Sequence, residues 1–153
     1  MPESSALKDM HIRRLAESIR RGSCVLVLGP EAATNPDENG SETLSSLLAR
    51  RLVADRQAAG IETHVENDLA LAAEFYVQSP NRDRLDLEIE TRDLYRRYQG
   101  KTTSLHLELA RLPFRLCLTT TFDRFLETAF ESVGKHPVSG AYHFRDPALR
   151  TEE

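Results

Sequence analysis

Long apolar runs are missing from this chain: none approaches the roughly 20 residues needed to cross a bilayer. The first residues, MPESSALKDM, lack the basic start and apolar centre of a signal peptide. Both absences place the protein in the cytosol as an expectation, with no membrane partner. Charge of one sign is also scarce, because 24 acidic residues nearly balance 20 basic ones. A net charge of −4 gives no electrostatic reason to expect a nucleic-acid partner. Arg13, Arg14, Arg20 and Arg21 cluster locally, but they suit the solvated face and end of a helix. Cysteine is limited to Cys24 and Cys117, each inside an apolar run. An isolated pair makes neither a disulfide framework nor a zinc site, so both are expected to be buried, reduced thiols. His11, His64, His136 and His143 have no spacing that suggests a metal, and no metal site is expected.

What is present describes an ordinary globular chain. The apolar fraction is 40% and the charged fraction 29%, which excludes a disordered or fibrous protein. A length of 153 residues suits a single domain over 1–153. Helical spacing runs from about Ser5 to Arg21, with Ile12, Leu15, Ala16 and Ile19 on one stripe and Gly22 as the stop. The continuous apolar segment Cys24 to Leu28 then predicts a buried parallel strand. A polar loop, EAATNPDENG, follows. Ser41 is placed to cap a second helix that buries Leu44, Leu47, Leu48 and Leu52 and ends at Gly60. Asn67 is placed to cap a third, with Leu69, Ala72, Ala73 and Tyr76 inward and Pro80 beyond it.

Residues Arg82 to Tyr98 read as helix, although Leu85, Leu87 and Ile89 alternate as a strand would. A short helix from Thr103 to Arg111 stops before Pro113. Phe114 to Thr119 reads as a second buried strand. Asp123 is placed to cap a helix with Phe125, Leu126, Ala129, Phe130 and Val133 apolar and Gly134 closing it. A third strand is expected over Val138 to Phe144. Buried strands separated by helices define the fold class as α/β: a Rossmann-like parallel sheet with flanking helices. Three strands make a thin sheet, so the sheet is expected to be incomplete at the C-terminus or completed by a partner domain or a second copy.

Two segments could carry chemistry. Gly29 follows the first strand, in VLVLGPEAAT, where backbone amides can cradle phosphates. The full dinucleotide fingerprint and the lysine-bearing phosphate loop are both absent, and a plain turn explains Gly29 and Pro30 equally well. Thr119, Thr120 and Thr121 stand at the carboxyl end of the second strand, the edge where open α/β sheets bind ligands. Their hydroxyls could contact a ribose or hold a water, while Asp123 caps the next helix. His106 is a lone histidine on a short helix, more often packed than catalytic.

The blocks IRRGSCVLVLG, HLELARLPFRLCLTTTFD and RFLETAF resemble bacterial sirtuin-like domains of antiphage-defence proteins. Such domains place a Gly-Ala-Gly-x-Ser loop after the first strand, then a His-x-x-Leu-Ala-x-Leu-Pro segment, then a strand ending Thr-Thr-Asn-Tyr/Phe-Asp. The resemblance covers nearly the whole chain. It implies a domain that binds NAD and, in many members, hydrolyses it to nicotinamide and ADP-ribose. Carried over, Gly29, Pro30, Glu31, Ala32 and Ala33 with Thr119 and Thr120 would contact the cofactor, and Thr121 and Asp123 would stand at the catalytic positions.

The pattern is broken where chemistry needs it. Pro30, Glu31 and Ala33 replace Ala, Gly and Ser, and Glu31 opposes a diphosphate. Thr121 replaces the water-positioning asparagine. The family's Leu-His-Gly base would fall beyond Glu153, and His143 comes too early to match it. The expectation is therefore a catalytically silent module of a bacterial defence or signalling protein, acting in binding or assembly. The alternative is an NAD hydrolase whose catalytic end lies outside this chain. A receiver-like reading finds no acidic cluster or lysine to support it.

Overall fold

A computed structural model describes residues 3–37, 42–58 and 68–141. Over these residues the chain is a mixed helix and strand protein, with six α-helices and one parallel pair of strands. Helix α1 spans Glu3–Arg20. It ends on Gly22, whose φ of 66° is the left-handed conformation that glycine adopts freely. Gly22 N–H donates to the Ile19 carbonyl at 2.8 Å and Ser23 N–H to the Ser18 carbonyl at 3.0 Å. This pair of bonds is the Schellman stop. A side chain at Gly22 would place Cβ 2.9 Å from Arg115 Nε, so glycine also lets the helix end approach the segment before the second strand.

Strand β1, Val25–Leu28, pairs in parallel with β2, Leu116–Thr119, with Leu28 level with Thr119. Thr120 N–H extends the ladder to the Leu28 carbonyl at 3.1 Å. Gly29 and Thr120 therefore leave the sheet at the same edge, as two apolar runs joined by helical crossovers require. Helices α2 (Leu44–Ala58), α3 (Leu69–Val77), α4 (Arg84–Arg97) and α5 (Ser104–Arg111) lie between the strands in sequence, and α6 (Phe125–Ser132) follows β2.

Local chemistry fixes most helix starts. Thr43 Oγ1 accepts from the Ser46 amide at 3.1 Å, and Asp68 accepts from the Leu71 amide. The expected caps, Ser41 and Asn67, lie outside the described residues. Asp83 and Asp86 form a reciprocal capping box on α4, which settles the expected Arg82 to Tyr98 segment as helix over Arg84–Arg97. Thr103 caps α5.

Two cores result. Leu44, Leu48, Leu52, Val53, Ala72, Tyr76, Leu94 and Phe125 pack together among α2, α3, α4 and the start of α6. Ala110, Leu126, Ala129 and Phe130 form the second, against Leu26, Leu28 and Cys117 of the sheet. Phe125 and Leu126 are consecutive, so the first turn of α6 ties the cores together.

Several expectations are corrected. The strands are parallel but not buried: Val25, Val27, Leu116 and Leu118 are each at least half exposed. Successive strand side chains point to opposite faces, and α5 and α6 cover only the face carrying Leu26, Leu28 and Cys117. The α1 stripe is likewise open, with Ile12 63% and Leu15 58% exposed. Residues 138–141 form no strand and Val138 is fully exposed, while 142–144 lie outside the described residues. Both cysteines are free, as expected, but only half-buried.

Burial pushes the Cys117 thiol above its ordinary range, and the nearby Lys135 charge only partly opposes this. Thiolate is the reactive form. Cys117 is thus expected to label slowly at neutral pH and to accelerate only at a pH above that at which a free thiol does. Site-resolved alkylation across a pH series checks this; a Cys117 rate profile matching a small free thiol contradicts it.

Candidate functional site

The register of the strands decides where the candidate residues stand. Gly29 is extended, with φ −93° and ψ 179°, and a Cβ added there would meet nothing within 4 Å. Neither conformation nor crowding demands a glycine at this position. Pro30–Ala32 forms a single 3-10 turn. Its geometry turns amides inward: Ala32, Ala33 and Thr34 donate to the carbonyls of Gly29, Pro30 and Ala32, each at 3.1 Å. Pro30 has no amide hydrogen to offer. Ala33 is buried in the first core, and its carbonyl accepts from Leu44 N–H at 2.7 Å. The loop thus leaves few donors for a phosphate, and the Glu31 side chain stands exposed among them.

Across the same edge, Thr119 and Thr120 are exposed and Thr121 is half-buried. Phe122 projects outward with 80% of its surface exposed. Asp123 turns back. Its Oδ1 accepts from the Phe125 amide at 2.9 Å, but the cap position of α6 is Arg124, which has no side-chain cap bond, so Asp123 stands one residue before the expected place. Its Oδ2 is buried and has no hydrogen-bond partner among the described residues.

A polar cluster surrounds this carboxylate. His106, on α5, is 2% exposed. Its Nδ1 shares a hydrogen with Thr103 Oγ1 at 2.7 Å, and its ring meets Phe125 edge to face at 5.6 Å. Burial lowers the His106 pKa below the ordinary 6.5, against the opposing pull of Asp123. Tyr95, on α4, is pushed up, first by burial and then by the Asp123 charge, with a hydrogen bond to Ser45 working the other way. His106 is therefore a neutral packed residue at pH 7, in keeping with its reading from sequence.

The unfolded chain takes up a proton on His106 near the ordinary 6.5, and the folded chain does so only at lower pH. Between those two values the unfolded state binds more protons, so folding stability falls as pH falls from 7. Thermal melts of the wild type are expected to drop between pH 7 and 5, with a shallower drop for His106→Leu. Equal slopes for the two proteins contradict the assignment.

Beside Asp123 a cleft of about 640 Å³ opens among α2, α3, α4 and the Phe122–Arg124 turn. Leu48, Leu69 and Leu87 form an apolar floor, and Tyr95 and Phe122 meet edge to face at 5.9 Å at its side. Arg92 and Arg96 stand on its wall. Of the residues expected at the site, only Asp123 lines this cleft; Gly29 to Ala33 and Thr119 to Thr121 do not. The sequence reading missed Tyr95, Arg92, Arg96 and Phe122 as a group. Their one linear trace is the spacing of Arg92 and Arg96, one helical turn apart.

Fold and site together define a mixed α/β protein with a parallel strand pair and an arginine-walled apolar cleft. Among the described residues no group of His, Cys, Asp or Glu is placed to hold a metal, and no helix is long and apolar enough to cross a membrane. Comparison with known proteins finds no matching family model, curated protein or solved structure.

Proposed function

We propose that this chain is a Rossmann-like, sirtuin-like module whose NAD chemistry is silent and whose role is binding or assembly, in a bacterial defence or signalling protein. The observation that carries the assembly role is the open face of the sheet. Val25, Val27, Leu116 and Leu118 form one contiguous apolar surface, each residue 50–64% exposed. Parallel sheets are stable when both faces are covered. A second copy or a partner domain laid on this face supplies the missing layer.

Two features support silence toward NAD. The amides of Ala32, Ala33 and Thr34 are occupied within the turn, and Glu31 adds a negative charge where a diphosphate would sit. Hydrolysis of NAD remains the alternative reading. What favours it is Asp123 Oδ2, a buried carboxylate oxygen with no partner among the described residues, at the ligand-binding edge of the sheet.

Sedimentation velocity tests the assembly role. The wild type is expected to sediment above the 17.3 kDa of one chain, and Val27→Lys and Leu118→Lys to shift it toward that mass. A wild type that stays monomeric at every concentration, or variants that sediment unchanged, contradicts it.

A further inference from the structure

The cleft beside Asp123 has a chemistry of its own. Its floor is apolar and comes from three helices, through Leu48, Leu69 and Leu87. Its wall carries four arginines, Arg84, Arg92, Arg96 and Arg124, and two carboxylates, Glu88 and Asp123. Arg84 lies 3.7 Å from Glu88, and Arg124 is bonded to Glu127, so both have counter-charges. Arg92 and Arg96 have none among the described residues, although both line the cleft. Residues four apart on a helix share a face, about 5–6 Å apart at Cβ. Two guanidinium groups at that spacing can converge on a single anionic head and bind it with charge-assisted hydrogen bonds.

The remaining lining narrows the ligand. Phe122 is a large apolar side chain left 80% exposed at the mouth, already in edge contact with Tyr95. An apolar or aromatic body entering the cleft would cover it. Uncharged polar groups are few, with Thr91 and Gln99 the examples, which is too little to read the edge of a nucleobase. A volume of about 640 Å³ accommodates a small molecule.

We propose that this cleft binds an amphiphilic anion: a small molecule with an acyl or aryl body, seated on Leu48, Leu69 and Leu87 with Phe122 closing over it, and one carboxylate or phosphate head held by Arg92 and Arg96. The head group is oriented by the arginines, and the body is held by removal of apolar surface from water. The site is separate from the Gly29 turn, so it stands whether or not the chain interacts with NAD.

Calorimetry on the intact protein tests this with three probes of equal chain length: decanoate, decanol and decyltrimethylammonium. Decanoate is expected to bind one per chain, at least tenfold more tightly than the alcohol or the cation. The double variant Arg92→Gln, Arg96→Gln is expected to weaken decanoate tenfold or more and leave decanol unchanged. Both arginines are exposed, and circular dichroism establishes whether the variant is folded. Raising the salt concentration on the wild type is an independent arm, since it should weaken decanoate selectively. Decanoate binding no tighter than decanol, or insensitive both to the double variant and to salt, overturns the proposal. So does the absence of decanoate binding.

Discussion

Replacing Phe125 with alanine is expected to cost about 3–5 kcal/mol of folding stability. Phe125 is 1% exposed and sits in the helical core with Leu44, Leu48 and Tyr76. Its ring meets His106, its amide starts α6 through Asp123, and its carbonyl accepts from Thr102 Oγ1 at 2.9 Å. Truncation leaves a cavity at the point where both cores join. Small domains have only about 5–15 kcal/mol to lose, so the variant should be partly unfolded at moderate temperature. Urea unfolding measures the loss. Phe122→Ala is the contrast, because an exposed ring should change stability by less than about 0.5 kcal/mol. Similar losses for the two would show that the first turn of α6 is misplaced.

Lys135→Met is the second large effect. The Lys135 ammonium donates to two carbonyls at the end of α5, Ala110 at 2.5 Å and Leu112 at 2.7 Å. These are orphan acceptors of a helix C-terminus, where the dipole also favours a cation. Hydrogen bonds to charged groups contribute about 1.5–3 kcal/mol, and the loss should fall in that range. By comparison, Arg124 and Glu127 form an exposed pair at the start of α6. Breaking that pair with Arg124→Ala should cost less than removing the Lys135 ammonium, because solvent screens an exposed pair. Urea unfolding of both variants gives the order; a Lys135→Met loss no greater than the surface pair's would contradict the capping role.

The elements written in local chemistry were legible in the sequence. Gly22 stops α1, and Asp123 holds the first amide of α6. The parallel pairing of β1 and β2 was also legible, since two apolar runs separated by helical patterns leave few other topologies. Burial of the strands was not. Val25 and Leu26 are equally apolar in sequence, and only the placement of α5 and α6 decides which one is covered. Lys135 had no reading, because it acts on carbonyls 23 and 25 residues earlier in the chain.

The candidate site divides in the same way. Gly29 and Thr119 were expected at one sheet edge, and they stand there. Whether a turn offers its amides to a ligand depends on backbone angles, which residue identity constrains only at Pro30. The arginine-walled cleft joins α4 to a turn some 30 residues onward, and no spacing rule reaches that far.

Nicotinamide release from NAD by the purified chain, measured alongside calorimetry with NAD and ADP-ribose, tests silence toward NAD most directly. With the amides of Ala32, Ala33 and Thr34 turned inward, Glu31 beside them and Thr121 in place of an asparagine, the expected result is no measurable nicotinamide and weak or absent binding. Steady nicotinamide release, abolished by Asp123→Asn, would contradict the account and restore the hydrolase reading.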